Sequence, residues 1–242
     1  MHGTYRTTAL MAAVRLGDEV PDFVGESQHG LIQFHNFIEG RWAMVFTYAG
    51  DFDPVAATEL GMVAKLQEEF DARNVSVIAI GIDTLRRHEL WVRDVNMTQS
   101  LDKYDARDGS ALKDARLRFP IIADATGAIT ETLGQMDPAV DMSGKRRAVS
   151  ALFVIDPTKV VRMTQSYRRS VGRNFYEVLR VIDSLQRADI YLVQSPANWC
   201  ANEQMLVAPE VTKTQATDLG MVVAAKLPYY RETPDPGIFD DR

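Results

Sequence analysis

Short continuous runs of apolar residues alternate along the chain with segments whose apolar residues recur at helical spacing. Trp42–Thr47 and Val75–Ile82 are such runs, and both are rich in β-branched or aromatic residues, which predicts buried strands. The segment between them carries a helical stripe of apolar residues, formed by Val55, Leu60, Val63, Leu66 and Phe70. Because a strand, a helix and a second strand follow one another, we predict a parallel crossover unit.

The rest of the chain continues this mixed pattern of helices and strands. Phe119–Ala123 is predicted as a further short strand. Two apolar runs, Ala151–Ile155 and Val160–Thr164, flank an Asp-Pro turn signal and are predicted to pair as a hairpin. The apolar periodicity predicts further helices over Leu85–Val95, Ala128–Leu133 and Asn174–Gln186.

Length and charge narrow the classes of function. The 242 residues suffice for one full domain with a small appendage, and the pattern changes after Gln186, so we predict a domain over residues 1–186 and a subdomain over 187–242. The 27 basic and 33 acidic residues give a net charge of −6 without a long basic stripe, which argues against a nucleic-acid partner. No apolar run approaches the roughly 18 residues that span a bilayer, so we expect a cytoplasmic protein with no membrane partner.

Two further features of the sequence restrict its organisation and chemistry. Residues 97–118 are polar with mixed charges and are predicted to form a solvated loop or a short exposed helix. Cys200 is the one cysteine of the sequence, which excludes an internal disulfide and a thiolate zinc cluster. No second histidine stands at metal-ligand spacing from His35, and we expect neither a bound metal nor a cofactor.

Several segments of the chain share one family resemblance. Gly50–Gly61, which follows the first buried strand, resembles the active-site region of peroxiredoxins. Later segments resemble the C-terminally extended one-cysteine subfamily, among them Phe119–Ile122, Gly172–Phe175, Pro196–Trp199 and Tyr229–Pro234. The resemblance implies an α/β, thioredoxin-like fold with a small C-terminal extension subdomain. It also implies a homodimer, and assembly of such dimers into a higher oligomer stays open.

The catalytic motif of that family is altered in this chain. Members reduce peroxides with a cysteine thiolate in a Pro-x-x-x-Thr-x-x-Cys motif at the first turn of a helix, assisted by an arginine from a later strand. The matching positions here carry Ala49, Asp53, Ala56 and Ser150, and Tyr48 stands where the family usually has a histidine. Since a methyl group cannot attack an O–O bond, we predict that the chain is not a working peroxidase at this position.

Asp53 and Tyr48 each have a structural and a chemical interpretation. Asp53 followed by Pro54 is typical of a helix N-cap with proline at the first helical position, although a carboxylate there could also act as a general base, a general acid or a metal ligand. Tyr48 could donate a hydrogen bond to a ligand, but an aromatic residue at a strand end most often packs. We favour the cap and the packing, and keep both residues as pocket candidates.

Glu59, Arg173 and Cys200 complete the set of candidate residues. Glu59 and Arg173 match polar residues that the family keeps near its active site, so the resemblance places them at the pocket with Ser150. Cys200 is the one remaining nucleophile. Its sequence neighbours include no basic residue that would activate the thiol, and a free cysteine is usually a small buried hydrophobic residue, so a reactive role is the weaker interpretation.

Three functions fit these residues. The first is a dimeric pseudoenzyme that binds a protein or a small-molecule ligand in the old active-site pocket. The second is a repurposed enzyme in which Tyr48, Asp53 and Ser150 surround a different small substrate. The third is residual peroxide reduction through Cys200, which would need an external thiol because no second cysteine can resolve a sulfenic acid.

Overall fold

The computed structural model describes residues 13–98, 115–141 and 144–237, and the chain divides into two compact units. The first unit ends at Arg173 and the second begins at Asn174. This division precedes the long helix after Asn174, whereas the change of sequence pattern after Gln186 predicts a domain boundary after that helix. The boundary at residues 186 and 187 stays a prediction. Most of the loop predicted over 97–118 lies outside the described residues.

The first unit is built from short strands and helices that alternate along the chain. Its strands are β1 (Val24–Ser27), β2 (Gly30–Gln33), β3 (Trp42–Thr47), β4 (Val75–Gly81), β5 (Ile121–Ala123), β6 (Met136–Val140), β7 (Arg146–Ala148), β8 (Ser150–Ile155) and β9 (Val161–Tyr167). Its helices are α1 (Phe34–Phe37), α2 (Pro54–Lys65), α3 (Gln67–Ala72), α4 (Leu85–Thr98) and α5 (Ala128–Thr132).

A seven-stranded sheet forms the centre of the first unit. The strands lie in the order β2-β1-β5-β4-β3-β8-β9, while β6 and β7 pair separately. Strand β3 pairs in parallel with β4 and antiparallel with β8, so Val45 lies opposite Ile78 on one side and Phe153 on the other. Every residue of β3, β4 and β8 is buried, which is the pattern expected of strands covered on both faces.

Most of the predicted elements of this unit are present. Trp42–Thr47 is a strand with the predicted bounds, and the crossover to β4 and the β8–β9 hairpin are confirmed. The helix predicted between β3 and β4 is wrong in one respect, because it consists of two helices. Leu66 has φ −89° and ψ 8°, which interrupts the helix between Lys65 and Gln67 although the apolar stripe continues.

The second unit contains a long helix, a small sheet and a short helix. These are α6 (Phe175–Tyr191), β10 (Val193–Gln194), β11 (Met205–Val207), α7 (Lys213–Asp218), β12 (Ala224–Ala225) and β13 (Arg231–Thr233). Asn174 caps α6 by accepting hydrogen bonds from the backbone amides of Tyr176 and Glu177, at the predicted start of the helix. In the part of the chain that the structure describes, none of the helices combines the length and the apolar character needed to cross a membrane.

Candidate functional site

Asp53 begins helix α2 at the carboxyl end of β3. Its Oδ1 accepts a hydrogen bond from the backbone amide of Ala56 at 3.0 Å, and Pro54 occupies the first helical position. The predicted N-cap is therefore confirmed. The carboxylate of Asp53 satisfies one of the amides that every helix start leaves without an intrahelical partner.

The other residues that the family resemblance assigns to the catalytic motif are small and buried. Ala49 is 5% exposed, Ala56 is 3% exposed, and Ser150 is 5% exposed. Ala56 lies in the first turn of α2, and Ser150 begins β8. The first turn of this helix therefore presents no side chain that could act as a nucleophile towards a peroxide.

Tyr48 is completely buried and belongs to a polar cluster inside the first unit. Its hydroxyl donates to Asp51 Oδ1 at 3.0 Å, and Nδ1 of His88 lies 2.9 and 2.8 Å from the two oxygens of the same carboxylate. Burial, reinforced by the charges of Asp51 and Asp83, raises the pKa of Tyr48 well above its ordinary value. The phenol is therefore neutral and oriented towards protein groups, as the packing interpretation predicts.

Helix α4 supplies two further residues of this cluster, which the sequence pattern alone does not reveal. His88 and Trp91 lie on its buried face, and the rings of Tyr48 and Trp91 are 5.1 Å apart. A Cβ at Gly81 would lie 2.2 Å from the hydroxyl of Tyr48, so only glycine leaves room for this tyrosine. The signal in the sequence is a histidine three residues before a tryptophan in an amphipathic helix, which one sequence does not distinguish from ordinary core packing.

Glu59 and Arg173 form a buried ion pair. Nε of Arg173 donates to Glu59 Oε1 at 2.9 Å, its backbone amide donates to the same oxygen at 2.8 Å, and Nη1 donates to the carbonyl of Ala151 at 2.7 Å. The guanidinium also lies 5.1 Å from the centre of the Phe46 ring. The pair thus ties the end of the first unit to α2 and β8, and its charges compensate each other away from solvent.

The carboxylates around α2 are each engaged by different partners. Asp51 binds Tyr48 and His88, Asp53 caps the helix, and Glu59 binds Arg173. Over the described ranges, no group of three or more histidine, cysteine, aspartate or glutamate side chains is placed to hold a metal ion.

A groove of about 1100 Å³ opens beside Ser150 at the beginning of β8. Among the pocket candidates Tyr48, Asp53, Glu59, Ser150 and Arg173, only Ser150 lines it. The other polar groups of the groove are hydroxyls, guanidinium groups and carboxylates of Asp137, Asp141, Arg147, Ser166, Tyr167, Arg168, Arg169 and Ser170. Arg147 donates to Asp141 at 2.7 Å. The groove therefore offers hydroxyls and guanidinium groups to an anionic or hydroxylated ligand.

Cys200 lies in the second unit and is exposed. Its Sγ is 3.8 Å from the carbonyl of Asn198. The tertiary structure supplies the basic neighbour that the adjacent sequence lacks, because Arg180 of α6 donates to the carbonyl of Trp199 at 3.1 Å. The hydrogen bond to Glu177 is the largest cause that raises the pKa of Arg180, and the charge of Cys200 acts in the same direction.

Comparison with known proteins gives a consistent set of relatives. The profile of the AhpC/TSA family matches residues 16–164. Peroxiredoxin-6 of Rattus norvegicus is 37% identical over 228 residues, which cover 91% of this chain and 97% of the relative. The 1-Cys peroxiredoxin of Medicago truncatula is 32% identical over 209 residues, which cover 86% and 90% of the two chains.

Solved structures agree with this result. A cysteine-to-serine mutant of the peroxiredoxin 6 of Arenicola marina superposes with a TM-score of 0.81 at 34% identity, covering 93% of this chain and 99% of that chain. A yeast mitochondrial 1-Cys peroxiredoxin superposes with a TM-score of 0.79 at 31% identity, covering 91% and 99%. The predicted thioredoxin-like α/β fold with a C-terminal extension is confirmed by these neighbours.

Proposed function

The chain belongs to the AhpC/TSA family, within its one-cysteine peroxiredoxin type, and we propose that it keeps the scaffold of that family without its peroxidase chemistry. In this proposal it is a dimeric pseudoenzyme that binds a ligand in the groove beside Ser150. The observation that carries the proposal is Ala56, a buried methyl group in the first turn of α2. Peroxide reduction begins with attack by a thiolate, and this position has none to offer.

The surroundings of Ala56 support the same conclusion. Asp53 replaces the threonine of the family motif and is occupied as the helix cap. Ser150 replaces the arginine, which removes the guanidinium that would stabilise the departing oxygen. The Glu59–Arg173 pair is retained, but the donors of Arg173 point at Glu59 and Ala151. The scaffold is thus preserved where the reactive groups are replaced.

Ligand binding is supported by the groove at the position of the replaced arginine. Its volume of about 1100 Å³ is large enough for a small organic molecule. We test this with native mass spectrometry of the purified protein, in which a co-purified ligand appears as added mass. Ser150→Trp fills the groove from β8 and is expected to abolish that added mass. A ligand retained by the variant would place the binding site elsewhere.

The dimer is supported by the exposed edge of the sheet. Strand β9 is the last strand in the order. Gly17 and Asp18 bond the backbone of Val161 at its beginning, and the outer backbone groups beyond Val161 can pair with a second copy of the chain. Light scattering at micromolar concentration is expected to give twice the mass of one chain. A monomer at that concentration would contradict the dimer. The cytoplasmic location expected from the sequence stays a prediction.

The decisive experiment is peroxide consumption by the reduced protein, with the intact mass followed in the same samples. We expect a rate no greater than that of an equal concentration of a simple thiol, in both the unmodified protein and the Cys200→Ser variant. A rate well above this level in the unmodified protein alone, with one oxygen added to Cys200, would refute the proposal.

That second outcome defines the competing function, thiol-dependent peroxide reduction through Cys200. The observation in its favour is Arg180, which donates a hydrogen bond to the carbonyl of Trp199, the residue before Cys200. Arg180 also donates to Glu177, and these hydrogen bonds compete for its charge. If peroxide is consumed, Arg180→Gln should slow the reaction of Cys200, because a nearby positive charge favours the thiolate.

A further inference from the structure

A second cavity of about 360 Å³ lies at the opposite end of the parallel strands from Ala56. Residues Val75–Val77 at the beginning of β4 line it, whereas helix α2 follows the carboxyl end of β3. Its polar lining consists of His29, Arg41, Gln67, Asp71, Ser76 and Arg118. None of these residues takes part in the site described above, so the cavity requires an explanation of its own.

Two buried polar atoms in this lining have no partner in the described structure. The amide nitrogen of Gln67 donates to Asp71 Oδ1 at 2.9 Å, which fixes the orientation of the amide and leaves Gln67 Oε1 without a hydrogen bond. Gln67 is only 8% exposed. Nε of Arg41 is likewise buried without an acceptor. Because buried polar groups are nearly always paired, this acceptor and this donor on one cavity are available to a polar ligand.

The charged groups around the cavity form two regions, one that can bind an anionic group and one that can bind a cationic group. Arg41 and Arg118 provide guanidinium groups that can hold a carboxylate. Asp71 adjoins Gln67 and provides a carboxylate next to the open amide oxygen, a combination that suits an ammonium group. Arg118 Nη2 and Asp71 Oδ2 form an ion pair at 3.9 Å with both side chains at least half exposed, and each side chain keeps further donor or acceptor atoms for a ligand.

The remaining wall of the cavity is apolar. Phe37 is 37% exposed, while Ile32 and Phe119 are 8% and 3% exposed, and all three line the cavity with Val77. An occupant must therefore carry a hydrocarbon part as well as charged groups. Sulfate lacks this part and carries no hydrogen that could be donated to Gln67 Oε1.

We propose that this cavity binds the zwitterion of an apolar α-amino acid. Its carboxylate contacts the guanidinium groups of Arg41 and Arg118, its ammonium group donates to Gln67 Oε1 and Asp71, and its side chain packs against Phe37 and the neighbouring apolar wall. The proposal stands on the first unit alone and is independent of the function proposed for the groove beside Ser150.

The test is isothermal titration of the full chain with L-leucine and with L-phenylalanine. We expect saturable binding of at least one of them, with one site per chain. Isocaproate and hydrocinnamate, which lack the amino group, should bind at least about tenfold more weakly, because Gln67 Oε1 and Asp71 then lose their charged donor. Equal binding of these acids, binding of sulfate in their place, or no saturable heat at millimolar concentration would each overturn the assignment.

Variants locate the binding to the cavity. Gln67→Met removes the polar contact at nearly constant side-chain length, Arg41→Met removes the charged contact with a shorter apolar side chain, and each should weaken binding at least about tenfold. Arg146→Met is the matched control, since Arg146 pairs with Glu131 at the surface, and it should bind normally. Thermal unfolding checks that each variant folds. If one variant does not fold, the affinity of the other variant tests the proposed site. Unchanged affinity in the folded variants would refute the proposed site.

Discussion

The first turn of α2 and the loop around Cys200 have opposite deficiencies. The first turn has a capped helix start and a buried ion pair on the same helix, but Ala56 carries no reactive atom. The loop has an exposed thiol and a nearby arginine, but that arginine is already paired with Glu177 near the surface. A reactive cysteine needs both the sulfur and an environment that stabilises the thiolate, and neither region combines them.

Each region contains an ion pair, and removing one partner should lower the free energy of unfolding by very different amounts in the two regions. Glu59→Gln leaves the charge of Arg173 buried beside a neutral amide, and we expect a loss of about 3–5 kcal/mol in the free energy of unfolding. Glu177→Gln breaks a pair whose side chains are 41% and 29% exposed, and should cost less than about 1 kcal/mol. Urea unfolding of both variants measures the difference. If both variants lose similar free energies of unfolding, the buried Glu59–Arg173 pair contributes no more to stability than the exposed Glu177–Arg180 pair.

Restoring the family residues tests whether the first turn lacks only its reactive groups. We combine Asp53→Thr, Ala56→Cys and Ser150→Arg in a Cys200→Ser background. Peroxide consumption should rise on the order of 100- to 1000-fold over the background, because the thiolate regains a helix start and an arginine. Ala56→Cys alone serves as the control and should gain much less. No gain in a folded triple variant would mean that further differences, such as Tyr48, prevent the chemistry.

Tyr48→Phe tests the buried polar cluster of Tyr48, Asp51 and His88. The variant removes a hydrogen bond to a carboxylate and should lose about 1.5–3 kcal/mol at neutral pH. Since the pKa of Tyr48 is raised in the folded protein, its contribution is complete below about pH 10, the ordinary tyrosine value, and is lost as pH rises towards the folded pKa. Across alkaline pH, the free energy of unfolding should therefore decrease more steeply for the unmodified protein than for the variant. Parallel pH curves would contradict the assignment.

The cap at α2 should give the smallest of these effects. Asp53→Ala removes the acceptor for the amide of Ala56 and should cost about 1 kcal/mol, while Asp53→Asn keeps a capping oxygen and should cost less. Thermal unfolding compares the two variants. If Asn is as damaging as Ala, the charge of Asp53 and not its hydrogen bond would be the important property.

Local patterns were sufficient for much of this architecture. The continuous apolar runs of β3 and β4, the Asp-Pro turn between β8 and β9, and the Asp53-Pro54 start of α2 each follow from residues close together in the sequence. The break at Leu66 was missed because the apolar stripe continues across it, so periodicity alone does not reveal a change in backbone angles. The strands of the second unit are too short to show a period of two.

The sequence by itself determined the order of the main elements and the absence of a cysteine from the first turn of α2. Only the tertiary structure decided that Asp51 binds His88, that Arg180 lies near Cys200, and that Arg41 and Gln67 line one cavity. The physical reason is that apolar patterns and helix caps involve residues close together along the chain. Partners of polar side chains are instead selected by the packing of distant segments. Residues far apart in sequence acquire their chemical roles only when the sheet and helices bring them together.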